Sequence, residues 1–363
     1  MVVSTNKSKV ENMVLLYRTM SSKTACLTVS PDSLVTKRIV VVGGGTGTSV
    51  VLSALKHVPR LKLSAIVVVS DNGGSTRRLR DEFGFLPVGD FRQCLAALAD
   101  GKNQAAVREL LLYRFQKGSG LTGHNLGNLI LTALEDLYPS PAAAIETATK
   151  IFRVNGEVLP VTEAIVQLKI TYANGQELIG EEHLDDPKLG GQTIAQIALT
   201  PSAKLYAKAK AALQKADQII LGPGDLYGSL LPNTLPLGFT QTLQKTSAKF
   251  CYIVNLMTHY SQTHNFTASD HVAAITKYCG RSPDLVIVNT GTIPQTILRA
   301  YAKQHEFPVV NDLASWIKTQ PQTKIVTGDF VSKITVPVTP GDTLVRSLLR
   351  HDGDKLAEVL LNS

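Results

Sequence analysis

The chain has 363 residues, 44% of them hydrophobic, and carries 37 Lys and Arg against 29 Asp and Glu for a formal net charge of +8. That is enough apolar sequence for a full α/β core and too little for three domains. Six Lys/Arg and two Asp/Glu fall in residues 1–38, half of the positive excess, so the remainder is mildly basic, and its lack of interleaved basic and aromatic residues argues against a nucleic-acid groove.

In chain order, residues 1–37 read as a loosely ordered extension. Their apolar patch, Met13-Val14-Leu15-Leu16-Tyr17, is too short and too polar at its flanks for an export signal. A strand over 40–42 then runs into Gly43-Gly44-Gly45-Thr46-Gly47-Thr48 and a helix over 48–56. A second strand, 67–69, runs into Ser70-Asp71-Asn72-Gly73-Gly74-Ser75. Glycine lets backbone N–H groups approach a ligand oxygen closely, and a helix start adds unpaired N–H groups and a positive dipole end.

Helices follow over 90–99, with Asp90 as N-cap, over 103–115 and over 124–137. The period then changes. Val166, Leu168, Ile170 and Tyr172 alternate with polar residues, Asn174-Gly175 supplies a turn, and 177–182 returns, an antiparallel hairpin excursion packed on the main sheet. Parallel grammar resumes with a helix over 203–216, a strand over 218–221, the loop Gly222-Pro223-Gly224-Asp225, strands over 249–254 and 285–288, and helices over 269–278 and 295–304. The expected class is α/β, a doubly wound, mostly parallel sheet. Five strands end in polar or glycine-rich turns, at Gly43, Ser70, Gly222, Asn255 and Asn289, and these gather at the carboxyl edge where such sheets bind ligands.

The GGGTGT loop lacks the P-loop lysine, and no acidic residue ends the second strand, which disfavours Walker-type ATP hydrolysis and an NAD-dependent oxidoreductase. A phosphate cradle or a plain tight turn remains. Asp71 suits Mg²⁺ or a ribose hydroxyl, Gly73 and Gly74 offer donors, and Arg77, Arg78 and Arg80 can neutralise phosphate; a solvated turn and helix are the alternative. Arg92 follows the Asp90 cap near this anion site. Asn125 and Asn128 lie three apart behind His124, placed to read hydroxyls or a base edge, or to cap backbone. His259, His264 and His271 match no zinc spacing, and there is no GxSxG elbow. Cys26, Cys94, Cys251 and Cys279 are far apart and read as free thiols in a reducing compartment. No apolar run reaches the roughly 18 residues of a membrane span.

The ordered motifs GGGTGT, SDNGGSTRRLR, PVGDFRQCLAAL, GHNLGNLIL, LGPGDLYGSLLPN, NLMT, ASDHV and the closing Arg350-His351-Asp352 resemble the YvcK or gluconeogenesis-factor branch of the CofD-like family. The resemblance runs from about Arg38 to the C-terminus. It implies a Rossmann-like fold for one domain over 38–363, a cytoplasmic protein, and binding of a UDP-sugar such as UDP-N-acetylglucosamine. It also implies a link to cell shape, envelope precursor supply and growth on gluconeogenic carbon.

In that reading the diphosphate lies over Gly44, Gly45, Thr46 and Gly47 and over Gly73 and Gly74. Asp71, Asn72, Asn125 and Asn128 hold uridine or sugar hydroxyls. Gly222, Pro223, Gly224 and Asp225 close the pocket, with Asp90, His124 and Asn255 beside it, and Arg92 or Arg350 balances charge. No cofactor is obligatory, no nucleic acid or membrane is involved, and a homo-oligomer and an unidentified protein partner stay open. The alternative is a Mg²⁺-dependent transferase moving a phospholactyl-like group to a deazaflavin-like acceptor, with Asp71 as metal ligand. Asn72, where relatives often carry a second carboxylate, lowers the carboxylate count and bears on it; Asp225, where they often carry serine, is another departure.

Overall fold

The computed structural model describes residues 36–71, 84–99, 105–318, 320–333 and 348–363. The extension over 1–35 and Asn72, Gly73, Gly74, Arg77, Arg78 and Arg80 lie outside the described residues.

Strand β1 (Lys37–Gly43) is buried from Ile39 to Gly43, as expected of a central parallel strand covered on both faces. Helix α1 (Gly45–Leu55) crosses over to β2 (Leu61–Val67), which pairs parallel with β1. Helices α2 (Val88–Leu98), α3 (Ala105–Leu112), α4 (Leu126–Leu137) and α5 (Pro141–Ile151) then lead to the short edge strand β3 (Glu157–Pro160). After an antiparallel sheet of β4 (Gln167–Tyr172), β5 (Glu177–Ile179) and β6 (Ile194–Thr200), the chain returns through α6 (Ala207–Lys215) to β7 (Gln218–Leu221) on the other side of β1. The order continues outward through α7 (Phe239–Lys245), β8 (Lys249–Ile253), α8 (Ala268–Cys279), β9 (Leu285–Asn289), α9 (Gln295–Ala302), α10 (Leu313–Trp316), β10 (Lys324–Gly328) and α11 (Gly353–Leu361).

The seven-stranded sheet therefore reads β10-β9-β8-β7-β1-β2-β3, with every neighbouring pair parallel. This is the doubly wound, Rossmann-like arrangement, and strand order reverses between β1 and β7. The two glycine loops that follow those strands thus face one another across the crevice opened by the reversal.

Four differences from the sequence expectation have local causes. The second strand begins at Leu61, because Lys62 and Ser64 interrupt the apolar run without ending the pairing. Helix α2 begins at Val88 with Pro87 at its N-cap, so Asp90 is a first-turn residue rather than the cap. Strands β3 and β10 pair in the sheet although their sequences are too short to show a pattern. The excursion has a third strand, β6, which pairs antiparallel with β4. Its Ile197 N–H donates to the Tyr278 hydroxyl of α8 (2.9 Å), and the buried residues of β4 and β6 join the same core cluster as the main sheet.

Candidate functional site

Helix α1 starts with Gly44 as N-cap, with no side-chain cap and no acidic residue in its first turn. Its opening N–H groups are therefore left to partners from elsewhere in the fold. One such partner is Asp90 of α2, whose carboxylate accepts from the Gly45 N–H. Burial raises the Asp90 pKa, and the charge of Asp71 raises it further, against the opposing pull of Arg92 and the Gly45 N–H. A Cβ on Gly44 would meet Asp90 Oδ2 at 2.2 Å, so glycine there makes room for the carboxylate.

The β1 and β7 loops are in backbone contact. A Cβ on Gly47 would stand 2.0 Å from the Pro223 carbonyl oxygen. Asn233, fully buried, pins the same junction: its Nδ2 donates to the Gly43 carbonyl (3.2 Å) and to the Ser229 carbonyl (2.7 Å). Between these loops lies a cleft of about 380 Å³.

Of the residues expected at a ligand site, Gly44, Gly45, Thr46, Gly47, Asp71, Asp90, Arg92, Asn128, Pro223, Gly224, Asp225, Asn255 and Arg350 line this cleft. Gly222 does not; its positive φ of 89° turns the chain at the end of β7. His124 and Asn125 do not line it either. Asn125 is the N-cap of α4, accepting from the Asn128 N–H (3.3 Å), and the His124 backbone bonds across the loop to Phe115 and Leu121.

The GHNLGN motif also positions an arginine. Asn128 Oδ1 accepts from Arg92 Nε at 2.8 Å, and a Cβ on Gly127 would meet Arg92 Cδ at 2.8 Å. Cap, gap and acceptor together seat the buried Arg92 guanidinium at the cleft beside the start of α1. The spacing put Asn125 and Asn128 on one helix face; in the fold Asn128 lines the cleft and meets an arginine, while Asn125 caps the helix.

The opposite wall was not legible in the sequence. Glu181 and Asp185, on the turn after β5, bring the antiparallel excursion into the cleft lining, joined by His259 and by Glu306 after α9. His259 Nε2 lies 3.4 Å from Asp185 and 3.8 Å from Glu306, while its Nδ1 is 3.2 Å from the Ser261 hydroxyl. Burial alone would lower the His259 pKa; Asp185, Asp225 and Glu306 together outweigh it and raise the pKa to about 9. His351 of the closing motif also lines the cleft. One end of the cleft thus combines N–H groups and Arg92 with the carboxyls of Asp71 and Asp90, and the other holds an imidazolium-bridged carboxylate cluster. Among the described residues no group of three His, Cys, Asp or Glu side chains is arranged to hold a metal ion.

A cleft at the reversal point of a parallel sheet, the place where such sheets hold ligands, marks a doubly wound α/β protein. The chain belongs to the CofD family, whose model, described as 2-phospho-L-lactate transferase CofD, matches residues 39–331, and within that family to the gluconeogenesis-factor group. It is 37% identical to the gluconeogenesis factor of Bacillus subtilis over 90% of this chain and 97% of that protein. It is 39% identical to that of Halalkalibacterium halodurans over 76% of this chain and 84% of that protein. A crystal structure of a Bacillus halodurans protein superposes with a TM-score of 0.80 at 35% identity, covering 90% of this chain and 99% of that one.

Proposed function

We propose that this protein binds a UDP-sugar in the β1/β7 cleft as a regulatory ligand, coupling the supply of envelope precursors to growth on gluconeogenic carbon and to cell shape in the cytoplasm. The observation that carries this reading is the contact of Gly47 with the Pro223 carbonyl, which sets two bare loops and a helix start with a glycine at its N-cap around one cavity. A diphosphate fits that pole because N–H groups and Arg92 supply donors without a lysine. The cavity of about 380 Å³ also falls in the ordinary range of small-molecule sites, roughly 300–1,000 Å³.

The carboxylates of Asp71 and Asp90 favour a second reading. Their mutual repulsion beside the phosphate pole suits one Mg²⁺ held by two carboxylates and a diphosphate, with the remaining positions filled by water. Asp71 and Asp90 would hold that ion, which would neutralise developing phosphate charge in a transferase. Calorimetric titration with UDP-N-acetylglucosamine, UDP-glucose, GTP and NAD, each with and without Mg²⁺, separates the readings. Metal-independent binding of a UDP-sugar that is recovered intact supports regulation. Strict Mg²⁺ dependence with product release supports the transferase, and no binding of any uridine nucleotide rejects the first reading.

A further inference from the structure

His351 is 8% exposed and lines the cleft. Its Nε2 is 3.2 Å from the Val254 carbonyl oxygen, which can only accept, so Nε2 carries the hydrogen. Burial lowers the His351 pKa to about 4, which keeps the ring neutral at physiological pH. A neutral imidazole with hydrogen on Nε2 has a lone pair on Nδ1. Among the described residues the ring's hydrogen bond is the one made by Nε2, and the residue lines the cleft, which leaves Nδ1 as the ring atom to meet a ligand.

The residue after Val254 is Asn255, which also lines the cleft. Its Oδ1 is covered and without a hydrogen-bond partner, which leaves Nδ2 as the end of the amide to meet a ligand. The carbonyl that fixes the His351 tautomer is therefore one peptide unit from a free donor. Together the two side chains present one acceptor and one donor, a combination that matches an N–H beside a C=O on a ligand.

We propose that His351 and Asn255 form a reader for an N–H/C=O group, with His351 Nδ1 accepting from the ligand N–H and Asn255 Nδ2 donating to the ligand carbonyl. The inference rests on the UDP-sugar reading and deepens it, because a UDP-sugar can supply this group from two places. One is the imide edge of the uracil ring; the other is an N-acetyl substituent on the sugar. Cytosine, with a ring acceptor where uracil has N–H, leaves His351 Nδ1 facing another lone pair, and a site built to bond a donor rejects a ligand that lacks it.

The test uses the full chain and calorimetry with UDP, CDP, UDP methylated at the ring imide nitrogen, UDP-glucose, UDP-N-acetylglucosamine and inorganic pyrophosphate. If the base is read, wild type binds UDP at least about tenfold more tightly than CDP or methylated UDP, the size of one well-placed hydrogen bond. Asn255→Ala then removes most of that preference and leaves pyrophosphate affinity unchanged. If the N-acetyl group is read, Asn255→Ala weakens UDP-N-acetylglucosamine but not UDP-glucose or UDP. Equal affinities of wild type and Asn255→Ala for all the uridine ligands, with CDP bound as well as UDP, overturn the reader while leaving the UDP-sugar reading standing. Failure of every uridine ligand to bind overturns both. Nitrogen-15 NMR of labelled histidine gives a readout that needs no variant: an unprotonated Nδ1 that moves upfield on ligand addition is expected, and a hydrogen on Nδ1 in the free protein contradicts the proposal.

Discussion

Gly47 touches the carbonyl of Pro223 so closely that a methyl group in its place would lie 2.0 Å from the oxygen. The oxygen and the Cα that would carry the methyl both belong to backbone, so no flexible side chain can move aside to relieve the overlap. The loops after β1 and β7 are the two that strand reversal sets side by side, and their contact fixes the width of the cleft between them.

Gly47→Ala is accordingly expected to force the loops apart, costing about 1–3 kcal/mol as overpacked cores do, and to abolish UDP-sugar binding. Gly120, with nothing within 4 Å of its built Cβ, is the matched control: Gly120→Ala should leave both properties unchanged. Thermal unfolding and calorimetry of the two variants check this. A Gly47→Ala protein as stable and as well liganded as wild type would show that the loops do not define the site.

The two asparagines of the GHNLGN motif should separate by function. Asn125→Ala removes the α4 cap and is expected to lower stability by about 1 kcal/mol with little change in affinity. Asn128→Ala leaves Arg92 Nε without its acceptor, and is expected to lower both stability and pyrophosphate affinity, the latter by about tenfold. Parallel losses of affinity in both variants would mean that Asn125 acts on the ligand as well.

Glu135, buried on α4, accepts from the Leu86 N–H at 3.1 Å while its other oxygen has no partner, and burial raises its pKa to about 7. A carboxyl with a higher pKa in the folded protein than in the unfolded chain favours folding in its protonated form. Its stabilising effect is complete below about 4.5 and is lost as pH rises through 7, a span worth about 3 kcal/mol. Denaturant unfolding between pH 5 and pH 8 should show this loss in wild type and a smaller one in Glu135→Gln. Identical pH profiles would place the titration elsewhere.

His259 works in the same direction at higher pH. Its pKa of about 9, against 6.5 unfolded, means that its contribution is complete below 6.5 and disappears as pH passes through 9. His259→Gln is expected to be less stable than wild type at pH 6 and to approach it at pH 10. A difference that persists unchanged to pH 10 would indicate lost packing rather than lost charge.

Much of this arrangement could be read from local signals. The β1 loop, the β7 loop and the alternation of strands with helices are short-range patterns, and they located the cleft on the carboxyl edge. Long-range partners were illegible: nothing near Gly127 in sequence says that the space it leaves holds Arg92, and nothing in LGPGDLYGSLLPN says that Asn233 binds the Gly43 carbonyl. The wall formed by Glu181, Asp185 and Glu306 was missed because its parts are scattered along the chain and are ordinary surface residue types. His351 was passed over beside Arg350, since its value lies in a tautomer fixed by a carbonyl on β8's extension.

The most direct test is a crystal structure of the protein with UDP-N-acetylglucosamine. The account predicts diphosphate density over the first turn of α1, at Gly45 and Thr46, within reach of the Arg92 guanidinium. Diphosphate density bound anywhere else on the molecule, with that turn left to solvent, would contradict it.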